Sequence, residues 1–331
     1  MEPHAPLSAQ PLSAQRLSQA DLNLLALDIV QKLQQSYQPG KDRVVTPDNV
    51  YQEGVATGRA DLEAFVLRLF LPGSAVVGLE HLDEALAQVH AGRSVLFMAE
   101  HRGNLDVPSF HSLLRREHPR YGDILERLVY VAGRKLNESS DFIKMFTEKY
   151  SRLVIVPKRD YPKPAPQEGE AEREARERFE KEAGRINRAA FRDLLRLKKA
   201  GKIFVLFPLG GRLKADADNV PVRESTSYVR AFDTAFLVSM DGNTLPPLPR
   251  MEDERPIQAR VVFRVGPPLD CKAFLAGQKA LFDGALRAGT LPSDADLDQF
   301  VVENIMAMLA NLRLSGGYGQ PHPAGPEQAS A

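Results

Sequence analysis

A single cysteine, Cys271, is present in 331 residues. One thiol cannot build an internal disulfide framework, and it rules out a metal site made from several cysteines. Neither sign of charge is in excess, with 43 Lys+Arg against 43 Asp+Glu. No global field therefore draws the chain to nucleic acid, and any electrostatic site must be local. Long apolar runs are also missing: no stretch reaches the roughly 18 uncharged apolar residues of a spanning helix. The most apolar segments, 94–99 and 203–209, have the length of buried strands. These features are expected of a cytoplasmic protein that meets any lipid by peripheral membrane contact or as a carrier-bound chain. Acidic residues are absent between Pro3 and Ala20, as in organellar transit peptides. That stretch holds only one arginine, however, and no basic segment followed by an apolar one, so no secretory signal is read there. With its repeated PLSAQ pentapeptide, segment 1–17 reads as a leader without order. The Gly/Pro-rich segment 316–331 reads as a tail of the same kind.

What is present divides into two regions. Asp21 is suited to cap a helix running to about Tyr37, with Leu22, Leu25, Ile29 and Leu33 on one stripe. Thr46-Pro47-Asp48 is a second start signal, because proline suits the first helical turn, and it predicts a helix towards Thr57. A third helix is expected over 60–71, stopped by Leu71-Pro72-Gly73. Segment 18–75 thus reads as a small helical domain. From 76 to 315 the pattern alternates between helices and short apolar strands. The strands are expected at 95–99, 128–132, 153–156, 203–207, 235–240 and 260–265. This predicts an α/β fold, a mixed and mostly parallel sheet covered by helices on both faces. The charge-rich segment 168–200 carries Phe179, Ala183, Ile186, Ala190, Leu194 and Leu197 at helical spacing, so its charges read as a solvated face.

Three strand ends carry chemistry. His101-Arg102-Gly103-Asn104-Leu105-Asp106 follows the first strand directly, where ligands bind in open α/β sheets. Asp106 lies too far along for one helical face but suits a turn that bends back. There its carboxylate would fix the histidine tautomer and leave the other ring nitrogen free to take a proton from a hydroxyl. Gly103 would permit the tight path. Phe207-Pro208-Leu209-Gly210-Gly211-Arg212-Leu213-Lys214 follows another strand. Its paired glycines allow backbone N–H groups to approach an anion, with Arg212 and Lys214 supplying charge. Lys158 and Arg159 stand at a third strand end. Each motif alone has a plain explanation as a helix cap, a turn or exposed charge, but together they describe a base beside a phosphate pocket. His111 and His118 lack such a setting and read as surface or packing residues.

In this order, HRGNLD, VYVAGRKLN, IVPKR and LFPLGGRLKAD, with a charged helix between the last two, resemble the glycerol-phosphate acyltransferase superfamily. The soluble plastid-type glycerol-3-phosphate acyltransferases are the most similar branch, over residues 76 to about 275. The helical segment before it resembles the small bundle that precedes the plastid catalytic domain. The resemblance implies that 76–315 is an acyltransferase domain, with His101 as general base and Asp106 as its orienting partner. It implies Lys158, Arg159, Arg212 and Lys214, with Gly210 and Gly211, as phosphate ligands, and no metal or cofactor beyond an acyl-carrier-protein or coenzyme A thioester as co-substrate. Glu100, where membrane-bound relatives have asparagine, departs from the pattern, as do Arg159 and Lys214. Glycerol 3-phosphate is the expected acceptor, and 1-acylglycerol 3-phosphate (lysophosphatidate) is the alternative. A phosphate- or lipid-binding module without catalysis is the reading from another class, and the His/Asp pair argues against it. Arg127, Arg134, Lys135 and Lys144 could form a basic patch for a carrier protein or be ordinary solvated charge.

Overall fold

The computed structural model describes residues 16–37, 44–117, 119–138, 140–165, 168–213, 219–248 and 253–318. Five strands run parallel in the middle of one sheet: β3 (Val95–Ala99), β4 (Leu128–Gly133), β5 (Arg152–Ile155), β6 (Ile203–Leu206) and β7 (Thr234–Asp241). Their spatial order is β5-β4-β6-β3-β7. On one side β1 (Tyr51–Gln52) pairs antiparallel with β5. On the other, β8 (Val262–Val265) is antiparallel to β7, and β2 (Ala75–Val77) is parallel to β8. The short β9 (Leu269–Asp270) also pairs with β7. The fold is thus α/β with a mixed, mostly parallel sheet.

All five residues of β3 are buried, which requires cover on both faces. Alternation along the strand sorts them. Val95, Phe97 and Ala99 join a cluster built with α1 (Gln19–Ser36), α2 (Arg59–Leu69), α3 (Leu79–His90) and α4 (Asp106–Glu117). Leu96 and Met98 join the opposite cluster, with α8 (Glu170–Lys199), α9 (Ser225–Ala231), α10 (Cys271–Arg287) and α11 (Leu297–Ser315). Each fully buried side chain of this size contributes about 1.5–3 kcal/mol of transfer free energy, so the strand's register is strongly held. In α8 the expected stripe is buried through Ala183, Ile186, Ala190, Leu194 and Leu197.

Segment 18–75 differs from its expected form in two respects. The first helix is capped by Ser18 rather than Asp21. The Ser18 hydroxyl accepts the Asp21 N–H at 3.2 Å while the Asp21 carboxylate accepts the Ser18 N–H at 3.1 Å, so Asp21 is the third residue of a capping box. The start signal at Thr46-Pro47-Asp48 leads to no helix. Asn49 accepts the Thr46 N–H at 2.8 Å and donates to the Val44 carbonyl at 2.9 Å, closing a turn. The chain then pairs as β1, because burying Val45 and Val50 against the sheet outweighs a weak local preference. Leu22, Ile29, Leu33, Leu62 and Val66 belong to the same apolar cluster as the sheet. At the other end Gly316 caps α11 in a left-handed conformation, φ 78°. Beyond it the Tyr318 hydroxyl accepts the Leu237 N–H and donates to the Pro267 carbonyl, so 316–318 are held against β7.

Candidate active site

β3 ends where its neighbour β7 continues. Glu100 donates its N–H to the Val238 carbonyl at 3.0 Å, and its carboxylate accepts the Met240 N–H at 2.8 Å. A side chain thus takes the place of the next ladder rung, and the backbone can leave the sheet at His101. Burial pushes the Glu100 carboxyl pKa up, against the Met240 N–H, Arg313 and Arg102, which act to lower it. Nothing in the sequence pattern marks this role.

The loop turns back as expected, and α4 begins at Asp106. One carboxylate oxygen, Oδ2, accepts the Arg102 N–H at 2.5 Å and the Gly103 N–H at 2.8 Å, and lies 2.9 Å from His101 Nδ1. Asp106 is 4% exposed. A buried carboxylate at Nδ1 favours the tautomer with the proton there, leaving Nε2 as acceptor. The His101 ring stacks on Phe207 with centroids 4.4 Å apart and planes at 23°. Gly103 is required for space and not for a left-handed φ. A Cβ there would collide with Asn243, whose amide donates to the Arg102 carbonyl at 2.7 Å.

The loop after β6 is tied to this one. Leu213 donates its N–H to the His101 carbonyl at 2.7 Å. Glu254, 7% exposed, pairs with Arg212 and accepts the Asn104 amide at 2.8 Å and the Leu248 N–H at 3.3 Å. Gly210 has φ +61°, and its N–H is spent on the Phe207 carbonyl at 2.7 Å. A Cβ on Gly210 would come within 2.9 Å of Arg159 and Val222. Arg159 donates to the Leu209 carbonyl at 3.3 Å and to that of Gly210. Lys158 Nζ lies 3.4 Å from Glu224, with the side chain 68% exposed. The adjacency of β3 and β6 therefore brings together His101, Asp106, Arg212, Gly210 and Gly211, and Arg159 reaches in from beyond β5. Lys158 is occupied at the periphery, and Lys214 lies outside the described residues. Glu254 had no signal in the sequence, being an acidic residue in a loop without a motif.

Two cavities meet at the strand end. One lies against α4 and is lined by Phe97, Ala99, Tyr130, Phe207, Val238 and Phe263, with Asp106 and Glu100 at its edge. The other lies between the two loops, where Glu100, His101 and Arg102 face Phe207, Leu209 and Met306. His111 is buried on α4, 3.0 Å from the Tyr130 hydroxyl, and burial pushes its pKa well down. His118 lies outside the described residues. The four cations considered as a carrier surface are engaged elsewhere. Arg127 bonds Asp123 and the Gly201 carbonyl, Arg134 pairs with Glu138 and Glu182, and Lys135 pairs with Asp160. Lys144 is 2% exposed. Among the described residues no cluster of three or more His, Cys, Asp or Glu side chains could hold a metal ion.

No protein-family model matches the chain, and no curated protein matches it. Among solved structures it is similar to the 1-acyl-sn-glycerophosphate (LPA) acyltransferase, PlsC, from Thermotoga maritima. That similarity covers 89% of this chain and 94% of that one at 14% identity, with a TM-score of 0.39. A likeness this loose assigns neither a family nor an activity.

Proposed function

We propose that the protein transfers a fatty acyl group from an acyl thioester to a hydroxyl of glycerol 3-phosphate, a step of phospholipid synthesis. The observation that carries this reading is the His101–Asp106 pair: a histidine held through Nδ1 by a buried carboxylate, at a strand end, with an apolar cavity beside it. His101 Nε2 takes the proton of the acceptor hydroxyl as its oxygen attacks the thioester carbonyl. The C–S bond then breaks, and the departing thiolate recovers the proton from the imidazolium, which Asp106 stabilises. The acyl chain occupies the cavity against α4. Arg212 and Arg159, beside the Gly210-Gly211 turn, take the acceptor phosphate. Arg212 exchanges its bond to Glu254 for it.

The donor is acyl carrier protein or coenzyme A thioester, and the chemistry calls on no further cofactor. No helix among the described residues is long and apolar enough to cross a membrane, so the reading includes peripheral contact with a membrane from the cytoplasm. Purified protein offered both donors, with glycerol 3-phosphate or lysophosphatidate, tests it. His101→Ala should lower kcat by about 10²–10⁴-fold with an unchanged melting temperature, and full activity in that variant would sink the reading. Faster acylation of lysophosphatidate would change the acceptor and leave the reaction standing.

A further inference from the structure

Every described cation assigned above to the phosphate has a partner of its own: Lys158 has Glu224, Arg159 the Leu209 and Gly210 carbonyls, and Arg212 has Glu254. Arg102 does not. Arg102 lines the cleft between the two loops together with His101 and Glu100, and among the described residues its Nη1 is buried with no hydrogen-bond partner. A guanidinium nitrogen shut away from water and left unpaired costs free energy that an incoming acceptor oxygen would recover. Glu100 is the nearby carboxylate, but its oxygens are directed to the Met240 N–H and Arg313, and no hydrogen bond joins it to Arg102.

The backbone of Arg102 is fixed independently of its side chain. Its N–H is held by Asp106 and its carbonyl by Asn243, so the guanidinium is presented from a rigid loop. Preorganisation of this kind lowers the ordering cost of binding. The cleft is otherwise apolar, through Phe207, Pro208, Leu209, Leu213 and Met306, which strengthens a charge-assisted bond formed inside it.

We propose that Arg102 is an anion-binding residue of this cleft and takes the phosphate monoester of the acceptor, placing the acceptor's hydroxyl at the neighbouring His101. The planar guanidinium fork matches two phosphate oxygens, which a lysine cannot do. The identity of the anion rests on the acyl-transfer reading, whereas the anion site itself does not.

Calorimetry with inorganic phosphate on the full chain, without donor, reads the site alone, and the KM for glycerol 3-phosphate reads it in turnover. Arg102→Gln should weaken phosphate binding and raise the acceptor KM by about tenfold to a hundredfold, with kcat moving less than KM. Arg102→Lys keeps the charge without the fork and should show the same ordering at smaller amplitude; it carries the test if the Gln variant does not fold. Unchanged phosphate affinity in a folded variant overturns the proposal. So does a loss of kcat at unchanged KM, which would put Arg102 on the reacting carbonyl. Phosphate binding that depends on Arg102 in a protein without acyl transfer would remove the proposed function and keep the site. Acyl transfer by a wild type that binds no phosphate would do the reverse.

Discussion

Asp106 concentrates its bonding on one oxygen. Oδ2 receives two backbone N–H groups and faces His101 Nδ1, while Oδ1 is buried without a partner. The carboxylate therefore does two jobs, closing the loop through Arg102 and Gly103 and setting a negative charge against His101 Nδ1. Asp106→Asn separates them. The amide oxygen can take the place of Oδ2 and still accept the two backbone donors, but it sets no negative charge against Nδ1 to stabilise an imidazolium. We expect kcat to fall by about 10²–10⁴-fold while the urea midpoint shifts little, since the loop stays capped. A loss below tenfold would show that the carboxylate charge does not support proton transfer at the histidine. The His/Asp spacing was legible as a motif. The double use of Asp106 was not, because the direction of two backbone N–H groups depends on the turn and not on residue type.

Between elements, the loops after β3 and β6 are joined by the Leu213–His101 backbone bond and by Glu254, which grips Arg212 and Asn104 together. The Glu254 side chain is 1% exposed and that of Arg212 is 16% exposed. Glu254→Ala would leave a guanidinium and an amide without their acceptor at the edge of the core. Breaking a fully buried pair costs about 3–5 kcal/mol, and because Arg212 retains some contact with water we expect about 2–3 kcal/mol. Denaturant midpoints at constant m-value measure this. Glu254→Gln, which keeps an oxygen for Asn104, should lie between Ala and wild type. Equal stability of all three would mean that Glu254 does not latch the loops.

On the scale of the whole molecule, a polar cluster sits inside the core between α2, α4 and the sheet: Glu63, His111, Tyr130 and Tyr150, with Arg115 bonded to Glu63 at 2.9 Å. Burial pushes His111 well below its ordinary value of 6.5, and the nearby Arg59 and Arg115 act in the same direction. The unfolded chain takes up a proton there near pH 6.5 and the native one does not. Stability is therefore lost as pH falls below that value, by about 1.4 kcal/mol per pH unit for one proton. Glu63 and Glu100, raised above 4.5 by burial, act oppositely: their contribution is present below 4.5 and lost as pH rises through the raised values. His111→Phe should flatten the fall in denaturant midpoint just below pH 6.5, whatever constant cost it carries for the unpaired Tyr130 hydroxyl. Parallel curves for variant and wild type would contradict this.

Runs and periods in the sequence were enough for most elements. The segment 95–99 has the length of a buried strand and is one, and the apolar spacing within α8 is that of one helix stripe, because side-chain period is a local property. The residue types at the three strand ends likewise pointed to a base beside a cationic turn. Tertiary structure decided which of those ends meet and how their side chains are paired. Only the order β5-β4-β6-β3-β7 makes the His101 and Gly210 loops neighbours. Packing of Val45 and Val50 turned a helix signal into an edge strand. Three of the assigned cations found partners of their own, Lys158 at Glu224 and Arg212 at Glu254 among them, while Arg102 in the first loop kept a buried donor unspent. Strand order and the pairing of buried charges depend on groups distant along the chain, whose contacts are chosen by the free energy of the whole core and not by any local pattern.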